Sequence, residues 1–274
     1  MIRPADLIPP PEGRGLVVSF FDYTGHAVRD WAQAGWWCWC LDIQHETQAR
    51  IEDAGDAGGA IVYARADLAA GSDDWAAIRA GMERAPIGMA FSFPPCTDLT
   101  VAGARHFAAK AAADPQFQAK AVQMARGVER LMAGIAAPWI AENPVSRLAT
   151  LWRRPDHYFD PCDFGGYLPP DDSHPRFPRY IAPRDAYTKK TGIWAGGGFV
   201  MPPRRPVRPE VLERRTKSGR LLRGSRQFML LGGASARTKN IRNETPRGFA
   251  RAVFEANAPA RGPALRAGPA GRGR

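Results

Sequence analysis

The sequence predicts an α/β fold with a mostly parallel sheet, and three observations lead to this fold class. Short apolar runs recur along the chain, and each has the length of a buried strand. Helical stretches separate successive runs, as they do in repeated strand–helix–strand units. The runs are apolar throughout, which is typical of strands that helices cover on both faces. In a sheet of this kind, ligands bind beyond the carboxyl ends of the strands.

The first half of the chain predicts five strands and three helices. Residues 15–21 begin with a glycine, are otherwise almost entirely apolar and precede the sequence DYTG, so they predict a strand. A helix is predicted over residues 26–34, where a glycine ends it, and residues 36–42 predict a second strand that stops at an acid. The remaining predicted elements are strands at residues 61–64, 87–93 and 138–143 and helices at residues 73–82 and 115–134.

The second half is less regular and contains fewer predicted elements. Residues 155–183 are rich in proline, aspartate and glycine, whereas residues 191–200 predict one more apolar strand. Residues 245–257 predict a helix with Thr245 as its N-cap and Pro246 in its first turn. The predicted organisation is a Pro-rich leader (1–14), a main domain (15–200), a small basic segment (201–240), a C-terminal helix that returns to the main domain (241–258) and a disordered basic tail (259–274).

The positive charge of the chain is regional. The protein has 274 residues and a formal net charge of +11. Residues 201–226 contain nine basic residues and two acids, and residues 259–274 contain four arginines and no acid, so these regions account for the whole net charge. A neutral body with a basic segment and tail is typical of a protein that binds a polyanion such as nucleic acid. The alternative is a solvated linker and a disordered end.

Composition and spacing exclude several other classes. No run of eighteen apolar residues exists, and the polar, Pro-rich start does not resemble a signal peptide. The four cysteines form no C-x-x-C pair, and the five histidines show no metal-ligand spacing. We therefore expect a cytoplasmic protein without a membrane segment, a disulfide framework or a bound metal.

The strongest chemical signal is the sequence FSFPPCTDL at residues 91–99. An apolar strand stops there at two prolines and presents Cys96 at its carboxyl end, where ligands of a parallel sheet bind. Cysteine is a nucleophile for covalent catalysis once its thiol has lost a proton. Because a free thiol is mostly protonated at neutral pH, the site must lower the pKa of Cys96 or accept its proton.

A second signal is the sequence IAENP at residues 140–144. This strand ends in Glu142 and Asn143, so Glu142 should emerge at the same edge of the sheet as Cys96. A glutamate at the mouth of a dry pocket has a raised pKa and can donate a proton. The alternative interpretation is that Glu142 and Asn143 cap the following helix. Together with Cys96, the pair predicts a nucleophile and an acid.

These two motifs, in this order, resemble those of the DNA (cytosine-5) methyltransferases. Pro-Pro-Cys at residues 94–96 and Glu-Asn at residues 142–143 match the catalytic motifs of that family. The proline that follows, giving E-N-P in place of the commoner E-N-V, is similar to the compact phage-type members. The resemblance implies a Rossmann-like fold that uses S-adenosyl-L-methionine, in which residues 15–200 form the catalytic domain.

Three weaker motifs extend the resemblance over residues 17–257. Residues 20–25 look like an altered form of the cofactor loop F-x-G-x-G, in which only the second glycine remains, as Gly25. Thr-Lys-Lys at residues 188–190 resembles a reduced version of the basic motif Q-x-R-x-R. Residues 242–246 are similar to the R-x-L-T-P segment that opens a late helix.

The resemblance also implies a cofactor site and partners. Asp42 stands where an acid would bind the ribose hydroxyls of S-adenosyl-L-methionine, and Asp67 stands where an acid would contact the adenine. The other cofactor contacts that it implies are Phe21, Asp22, Thr24, Gly25 and Pro94. The implied partner is double-stranded DNA, and we expect a monomer.

The implied mechanism follows from the chemistry of cytosine. Carbon 5 is a poor nucleophile until the Cys96 thiolate adds to carbon 6 and converts the ring to an enamine. Glu142, with Asn143 beside it, would donate a proton to ring nitrogen 3 and hydrogen-bond the exocyclic amine. Loss of the carbon-5 proton after methyl transfer then releases Cys96. Because carbon 6 is inaccessible in a duplex, the target base must be flipped out.

The DNA contacts are the least specific part of the prediction. Lys190 is assigned to the base carbonyl and Lys189 to the flanking phosphate, although the motif also allows the reverse. Residues 97–114 would form a loop that closes over the base, in which His106 is either a proton acceptor or a backbone contact. Arginines of the basic segment read guanine or touch only phosphate. The predicted DNA contacts are Lys189, Arg105, Arg204, Arg205, Arg215 and Arg220.

Three alternatives remain open. An RNA cytosine-5 methyltransferase of the same fold would share all these motifs. A DNA-binding relative without catalysis would explain the altered cofactor loop, but the presence of both Cys96 and Glu142 argues against it. The sequence also allows transfer of a group other than methyl. Methylation of an exocyclic amine is disfavoured, because such enzymes have an aromatic residue where this chain has Cys96.

Overall fold

An eight-stranded mixed sheet lies at the centre of the protein, whose computed structural model describes residues 7–259 apart from positions 217 and 234. Its strands are β1 (Leu16–Phe20), β2 (Trp37–Asp42), β3 (Arg50–Asp53), β4 (Ala60–Arg65), β5 (Ile87–Ser92), β6 (Trp139–Pro144), β7 (His157–Phe159) and β8 (Thr191–Gly196). A separate antiparallel hairpin pairs β9 (Leu212–Arg215) with β10 (Leu221–Gly224). The predicted α/β class is confirmed, whereas β3, β7 and the hairpin were not predicted.

The strand order places a ligand-binding crevice at the middle of the sheet. The strands β4, β2, β1, β5 and β6 are neighbours in that order and run parallel. At the two edges, β3 is antiparallel to β4, and β8 is antiparallel to both β6 and β7. From β1 the chain builds outwards to β2 and β4, and it then continues on the other side of β1 with β5 and β6. The carboxyl ends of β1 and β5 therefore flank the point where the strand order reverses.

Helices cover both faces of the sheet, which explains why the parallel strands are apolar throughout. Successive side chains of a strand point to opposite faces, so Val17 and Val18 belong to two different cores. The α-helices of the described chain are α1 (Arg29–Gln33), α2 (Asp74–Met82), α3 (Phe107–Ala113), α4 (Phe117–Ala125), α5 (Gly127–Met132), α6 (Leu148–Leu151), α7 (Arg226–Leu230), α8 (Ala236–Arg242) and α9 (Arg247–Asn257). Helices α2, α4 and α5 pack on one face, and α1 and α9 pack on the other.

Three predicted elements differ from the structure in their bounds. The long helix predicted before β6 is divided into α4 and α5. The strand predicted over residues 191–200 ends at Gly196, because the next two glycines adopt φ angles of 64° and 82° that take the chain out of the sheet. Pro246, not Thr245, occupies the N-cap position of α9, and no side chain caps that helix.

The ends and the basic segment are fastened to the main domain where the structure describes them. The carbonyl oxygen of Ile8 accepts hydrogen bonds from the indole N–H groups of Trp37 at 3.0 Å and Trp39 at 2.9 Å. The basic segment also lies along the main domain, since the Val207 amide donates to the Cys162 carbonyl at 2.9 Å. Residues 1–6 of the predicted leader and 260–274 of the predicted tail lie outside the described residues. Within the described part, no helix has the length and apolar character needed to cross a membrane.

Candidate active site

A cleft of about 270 Å³ lies at the carboxyl edge of the parallel strands. It opens where the loops after β1, β2, β4 and β5 meet, which is the crevice that the strand order creates. Apolar side chains of Ile43, Leu68, Phe93 and Met124 form part of its wall. The predicted cofactor residues that line the cleft are Phe21, Asp22, Thr24, Asp42 and Asp67.

Asp22 and Gly25 shape the loop after β1. The buried Asp22 carboxylate accepts hydrogen bonds from the backbone N–H groups of Thr24 at 2.9 Å and Gly25 at 2.8 Å. Gly25 has a φ of 73°, and a Cβ there would lie 2.6 Å from the Tyr63 hydroxyl oxygen, so conformation and space both require glycine. Gly25 therefore turns the loop without lining the cleft, whereas Thr24 faces the cleft.

The two predicted cofactor acids differ in exposure. Asp42 ends β2 and is 8% exposed, and one of its carboxylate oxygens accepts the Gln44 amide at 2.8 Å. Burial raises the pKa of Asp42, and the Gln44 amide opposes that rise. Asp67 is exposed, and one of its oxygens accepts the Ala69 amide at 2.9 Å. Both carboxylates line the cleft.

A second cavity of about 30 Å³ adjoins the cleft, and Cys96 stands in the wall of both. Glu142 lines this small cavity from the end of β6, and Lys189 lines it from the loop before β8. The side chains of Phe159 and Phe249 form an apolar part of the wall of this small cavity. Its volume accommodates one or two water molecules but not a nucleobase, so the wall must move before a base can enter.

The turn after β5 presents Cys96 to both cavities. The Cys96 carbonyl oxygen accepts hydrogen bonds from the backbone N–H groups of Leu99 at 3.0 Å and Thr100 at 2.9 Å. The chain's other three cysteines are buried, and none of them lines either cavity. Cys96 is therefore the thiol that a ligand in either cavity can reach.

Glu142 and Lys189 set the electrostatic environment of Cys96. Burial is the largest effect, and it raises the pKa of both the Cys96 thiol and the Glu142 carboxyl. The Lys189 ammonium lowers both pKa values, whereas Glu142 raises the pKa of Cys96 further. Glu142 keeps some exposed surface because it faces the cavity, but protein atoms surround the rest of its carboxyl. A carboxyl with a raised pKa beside a thiol has the properties of a proton donor.

Lys189, rather than Lys190, is the lysine of this site. The Nζ of Lys189 donates a hydrogen bond of 3.1 Å to the Arg242 carbonyl oxygen, and Lys189 lines the small cavity. The Nζ of Lys190 lies 5.0 Å from the ring centre of Tyr158 instead. Lys189 therefore lies nearer to the Cys96 site than Lys190, and the assignment of Lys190 to a base stays a prediction.

Asn143 and Pro94 lie behind the site rather than in the cleft. The fully buried Asn143 donates a hydrogen bond of 3.1 Å from Nδ2 to the Pro94 carbonyl oxygen. Pro94, which the sequence assigns to the cofactor, lines the small cavity, whereas Pro95 lines the cleft. Neither Glu142 nor Asn143 caps a helix, because the N-cap of α6 is Arg147.

Two arginines predicted to contact DNA are bonded within the protein. Arg204 donates a hydrogen bond of 3.0 Å from Nη2 to the Tyr158 carbonyl oxygen. The guanidinium carbon of Arg205 lies 4.1 Å from the ring centre of Tyr167. These contacts hold the start of the basic segment on the main domain and reduce the freedom of Arg204 and Arg205 to bind DNA.

The other three predicted arginines are exposed, as Arg204 and Arg205 are, and their hydrogen bonds are local: Arg215 donates to the Gly219 carbonyl oxygen at 3.2 Å and Arg105 to Nε2 of His106 at 3.0 Å. Arg215 and Arg220 flank the turn at residues 216–219 that joins β9 to β10. Arg105 lies in a 3-10 helix, Val101–His106, that leads directly into α3. The predicted loop at residues 97–114 is thus largely helical. Exposure makes these three arginines available to a polyanion.

Three buried side chains that are distant in sequence meet behind the loop after β1. The side-chain atoms of His26, His174 and Glu244 that could bind a metal lie within 4.8 Å of one another. However, Nδ1 of His174 accepts hydrogen bonds from the backbone N–H groups of Arg176 at 3.3 Å and Phe177 at 3.0 Å. The proton of a neutral His174 ring must therefore be on Nε2, and a protonated nitrogen is not a metal ligand. This tautomer argues against metal coordination by His174, although His26 Nε2, His174 Nε2 and both Glu244 oxygens have no hydrogen-bond partner among the described residues.

Sequence reasoning missed the residues that close the site from the C-terminal side. Asn243 and Thr245 line both cavities, and Asn240 lines the cleft. The motif at residues 242–246 marked this segment but gave no role to its members. Ile43 was also missed, although it directly follows Asp42 at a strand end and is 49% exposed.

The candidate site therefore consists of a cleft lined by Asp22, Asp42 and Asp67, a small cavity lined by Glu142, Glu244 and Lys189, and the Cys96 thiol, which belongs to both. A scan against protein-family models finds no match for this chain, and a search of curated proteins finds no significant similarity.

Proposed function

We propose that this protein transfers a methyl group from S-adenosyl-L-methionine to carbon 5 of cytosine in DNA. The observation that carries the proposal is the position of Cys96 in the shared wall of the cleft and the small cavity. A nucleophile in that position can bind a base on one side while the methyl donor lies on the other. This arrangement matches a reaction in which covalent attack and group transfer occur at neighbouring atoms.

The cleft fits S-adenosyl-L-methionine in its chemistry. The Asp42 carboxylate lines the cleft at the end of β2, where it can accept hydrogen bonds from ribose hydroxyls. Ile43 and Leu68 offer apolar surface to the adenine, and the exposed Asp67 can accept a hydrogen bond from its amino group. When bound, this cofactor supplies an electrophilic methyl group. The cleft also excludes part of the solvent, which protects a covalent intermediate on Cys96.

The small cavity provides the groups that activate cytosine. The Cys96 thiolate adds to carbon 6, and the positive charge of Lys189 favours the thiolate because it lowers the pKa of Cys96. Glu142, whose pKa is raised by burial, donates a proton to ring nitrogen 3 as charge develops there. Loss of the carbon-5 proton after methyl transfer restores the ring double bond and releases Cys96.

One assay tests this function. The protein is incubated with labelled S-adenosyl-L-methionine and either duplex DNA or tRNA, and each product is digested to nucleosides and analysed by mass. We expect 5-methylcytosine from DNA, and no product from a Cys96→Ser variant, whose alcohol is far less readily deprotonated. Product from tRNA alone would favour the RNA enzyme, and a different added mass would identify another transferred group.

A conservative change at Glu142 tests the acid separately. Glu142→Gln keeps the hydrogen-bonding shape but removes the transferable proton. Because general acid catalysis is worth about 10²- to 10⁴-fold, we expect turnover to fall within that range. Affinity for the cofactor should change little, since Glu142 lines the small cavity and not the cleft.

A further inference from the structure

We propose that Glu244, which lies in a buried cluster with His26 and His174, is a positioning residue that couples occupation of the cleft by the cofactor to the shape of the small cavity, here named the cytosine cavity. This inference rests on the proposed function, because it assigns ligands to both cavities. None of these three residues is needed for the covalent chemistry on Cys96. Their arrangement links two sites through buried contacts.

Glu244 lies in sequence between two residues of the wall that the two cavities share. Its side chain is only 2% exposed, and it lines the cytosine cavity. Its sequence neighbours Asn243 and Thr245 line both that cavity and the cofactor cleft. A displacement of Glu244 therefore moves Asn243 and Thr245, which line both cavities.

His26 connects Glu244 to the cofactor loop. The Nε2 of His26 lies 3.0 Å from Oε2 of Glu244, and both side chains are buried. The backbone N–H of His26 donates to the hydroxyl oxygen of Thr24 at 3.4 Å, and Thr24 lines the cofactor cleft. Three residues thus join the cleft to the wall of the cytosine cavity.

His174 approaches Glu244 from a third part of the chain. Its Nδ1 accepts two backbone N–H groups, so the Nε2 proton faces the cluster. Burial is the largest of the effects that lower the pKa of His174 to about 3, so this ring is neutral at physiological pH. His174 is therefore a fixed N–H donor near the Glu244 carboxylate.

The contacts of Glu244 are close but poorly aligned. Neither Oε1 nor Oε2 has a hydrogen bond of good geometry among the described residues, although His26 is within 3.0 Å and the Arg176 guanidinium within 3.9 Å. A buried carboxylate without good hydrogen bonds is costly, so it gains from any shift that improves them. A ligand that moves Thr24 and His26 consequently moves Glu244. Coupling of this kind is reciprocal, so a base in the cytosine cavity must strengthen cofactor binding equally.

The coupling is measurable as a ratio of affinities. The dissociation constant of S-adenosylhomocysteine is measured by calorimetry with and without a short duplex that carries a mismatched cytosine, because such a base is flipped most easily. In the wild-type protein we expect the duplex to tighten S-adenosylhomocysteine binding by at least about five-fold. In His174→Asn we expect this ratio to fall towards one while the affinity for S-adenosylhomocysteine alone changes little.

The His174→Asn variant separates positioning from folding. An asparagine oxygen can replace Nδ1 as the acceptor of the two backbone N–H groups, but no atom replaces Nε2. His157→Asn, on β7, is the matched control and should keep the wild-type ratio. If His174→Asn does not fold, Glu244→Gln decides by the same ratio, which we expect to be lost.

The binding measurements distinguish a failure of the proposed function from a failure of the role proposed for Glu244. A wild-type protein that binds no S-adenosylhomocysteine would refute the proposed function. A wild-type protein that binds both ligands without coupling, or variants that keep the full ratio, would overturn the role of Glu244 and leave the function standing. Elemental analysis tests for a metal. A stoichiometric transition metal in the wild-type protein that is absent from both Glu244→Gln and His174→Asn would show that the cluster is a metal site, and it would overturn the positioning role of Glu244.

Discussion

The side-chain amide of Asn143 donates a hydrogen bond of 3.1 Å to the carbonyl oxygen of Pro94. This bond joins the end of β6, which carries Glu142, to the turn after β5, which carries Cys96. Asn143 is fully buried, and its Oδ1 has no partner among the described residues. The proposed nucleophile and acid are thus each one or two residues from a shared buried hydrogen bond.

Replacement of Asn143 by alanine should therefore slow catalysis without weakening cofactor binding. Loss of the bond leaves the Pro94 carbonyl unpaired at a cost of about 1–3 kcal/mol and lets Cys96 move relative to Glu142. A misplacement of about 1 Å can reduce a rate by about 10²-fold. Steady-state turnover and calorimetry with S-adenosylhomocysteine measure the two effects. Weaker cofactor binding with unchanged turnover would show that Asn143 belongs to the cleft.

The two lysines provide a matched pair for a pH profile. The Lys189 ammonium lowers the pKa of both Cys96 and Glu142, so Lys189→Gln should raise both. The thiolate of Cys96 then forms at higher pH, and Glu142 also remains protonated to higher pH. Both limbs of the profile of kcat/KM should therefore shift upwards. Lys190→Gln should shift neither limb, because Lys190 lies over Tyr158; the opposite pattern would support the assignment made from sequence.

The arginines of the basic segment should separate into DNA contacts and structural contacts. Arg220→Ala, at the exposed hairpin turn, should weaken DNA binding and reduce the salt slope by about 0.9 if it contacts one phosphate. Replacement of an arginine that reads a base would instead weaken DNA binding by about 1–3 kcal/mol at the preferred site and relax the choice of base at one position.

Arg226→Ala is the structural control for this comparison. The guanidinium of Arg226 donates to both carboxylate oxygens of Glu210, at 2.6 and 2.7 Å. Its loss should lower the free energy of unfolding by about 1 kcal/mol and leave the salt slope unchanged. DNA titrations at several salt concentrations, together with urea melts, distinguish the two behaviours. Equal salt slopes for Arg220→Ala and the wild type would show that Arg220 contacts no phosphate, which contradicts the placement of this hairpin turn in the DNA interface.

Asp185 should make stability depend on pH. It is 1% exposed, and burial raises its pKa from 3.8 to about 6, although the Gly248 amide donates to its carboxylate at 2.8 Å. A raised pKa in the folded protein means that stability is greatest below the unfolded value and is lost as pH rises through about 6.

Asp185→Asn should remove that loss. Asparagine keeps an acceptor for Gly248 and tolerates the left-handed φ of 48° found at this position. We expect the variant to be more stable than the wild type by up to about 3 kcal/mol at pH 8, and about equally stable near pH 4. Urea melts at the two pH values provide the measurement. A difference that does not change with pH would mean that Asp185 ionises as readily in the folded chain as in the unfolded one.

Local patterns predicted the parallel strands and the residues at their ends. Cys96, Glu142 and Asp42 each follow an apolar run, and the carboxyl ends of parallel strands meet at one edge. β3 could not be predicted, because its sequence RIED is polar and pairs only at the edge of the sheet. The His26, His174 and Glu244 cluster was equally invisible, since it depends on contacts between distant segments.

The sequence also could not predict how individual side chains are oriented. The sequence presents Lys189 and Lys190 as equivalent, and only the backbone path into β8 determines which of them faces Cys96. The same holds for the basic segment, where composition counts charges but cannot show that Arg226 is bonded to Glu210. Local sequence therefore predicted which residues lie at the strand ends but not which neighbours their side chains contact.

Covalent trapping tests the central claim most directly. Duplex DNA in which 5-fluorocytosine replaces cytosine is incubated with the protein and S-adenosyl-L-methionine, and the products are separated under denaturing conditions. Because fluorine at carbon 5 cannot leave as a proton does, the Cys96 adduct should persist after methyl transfer. We predict a denaturation-resistant protein–DNA complex that requires the cofactor and is absent from Cys96→Ser. A protein that methylates normal DNA but forms no such complex, or a Cys96→Ser variant that forms it, would contradict the account.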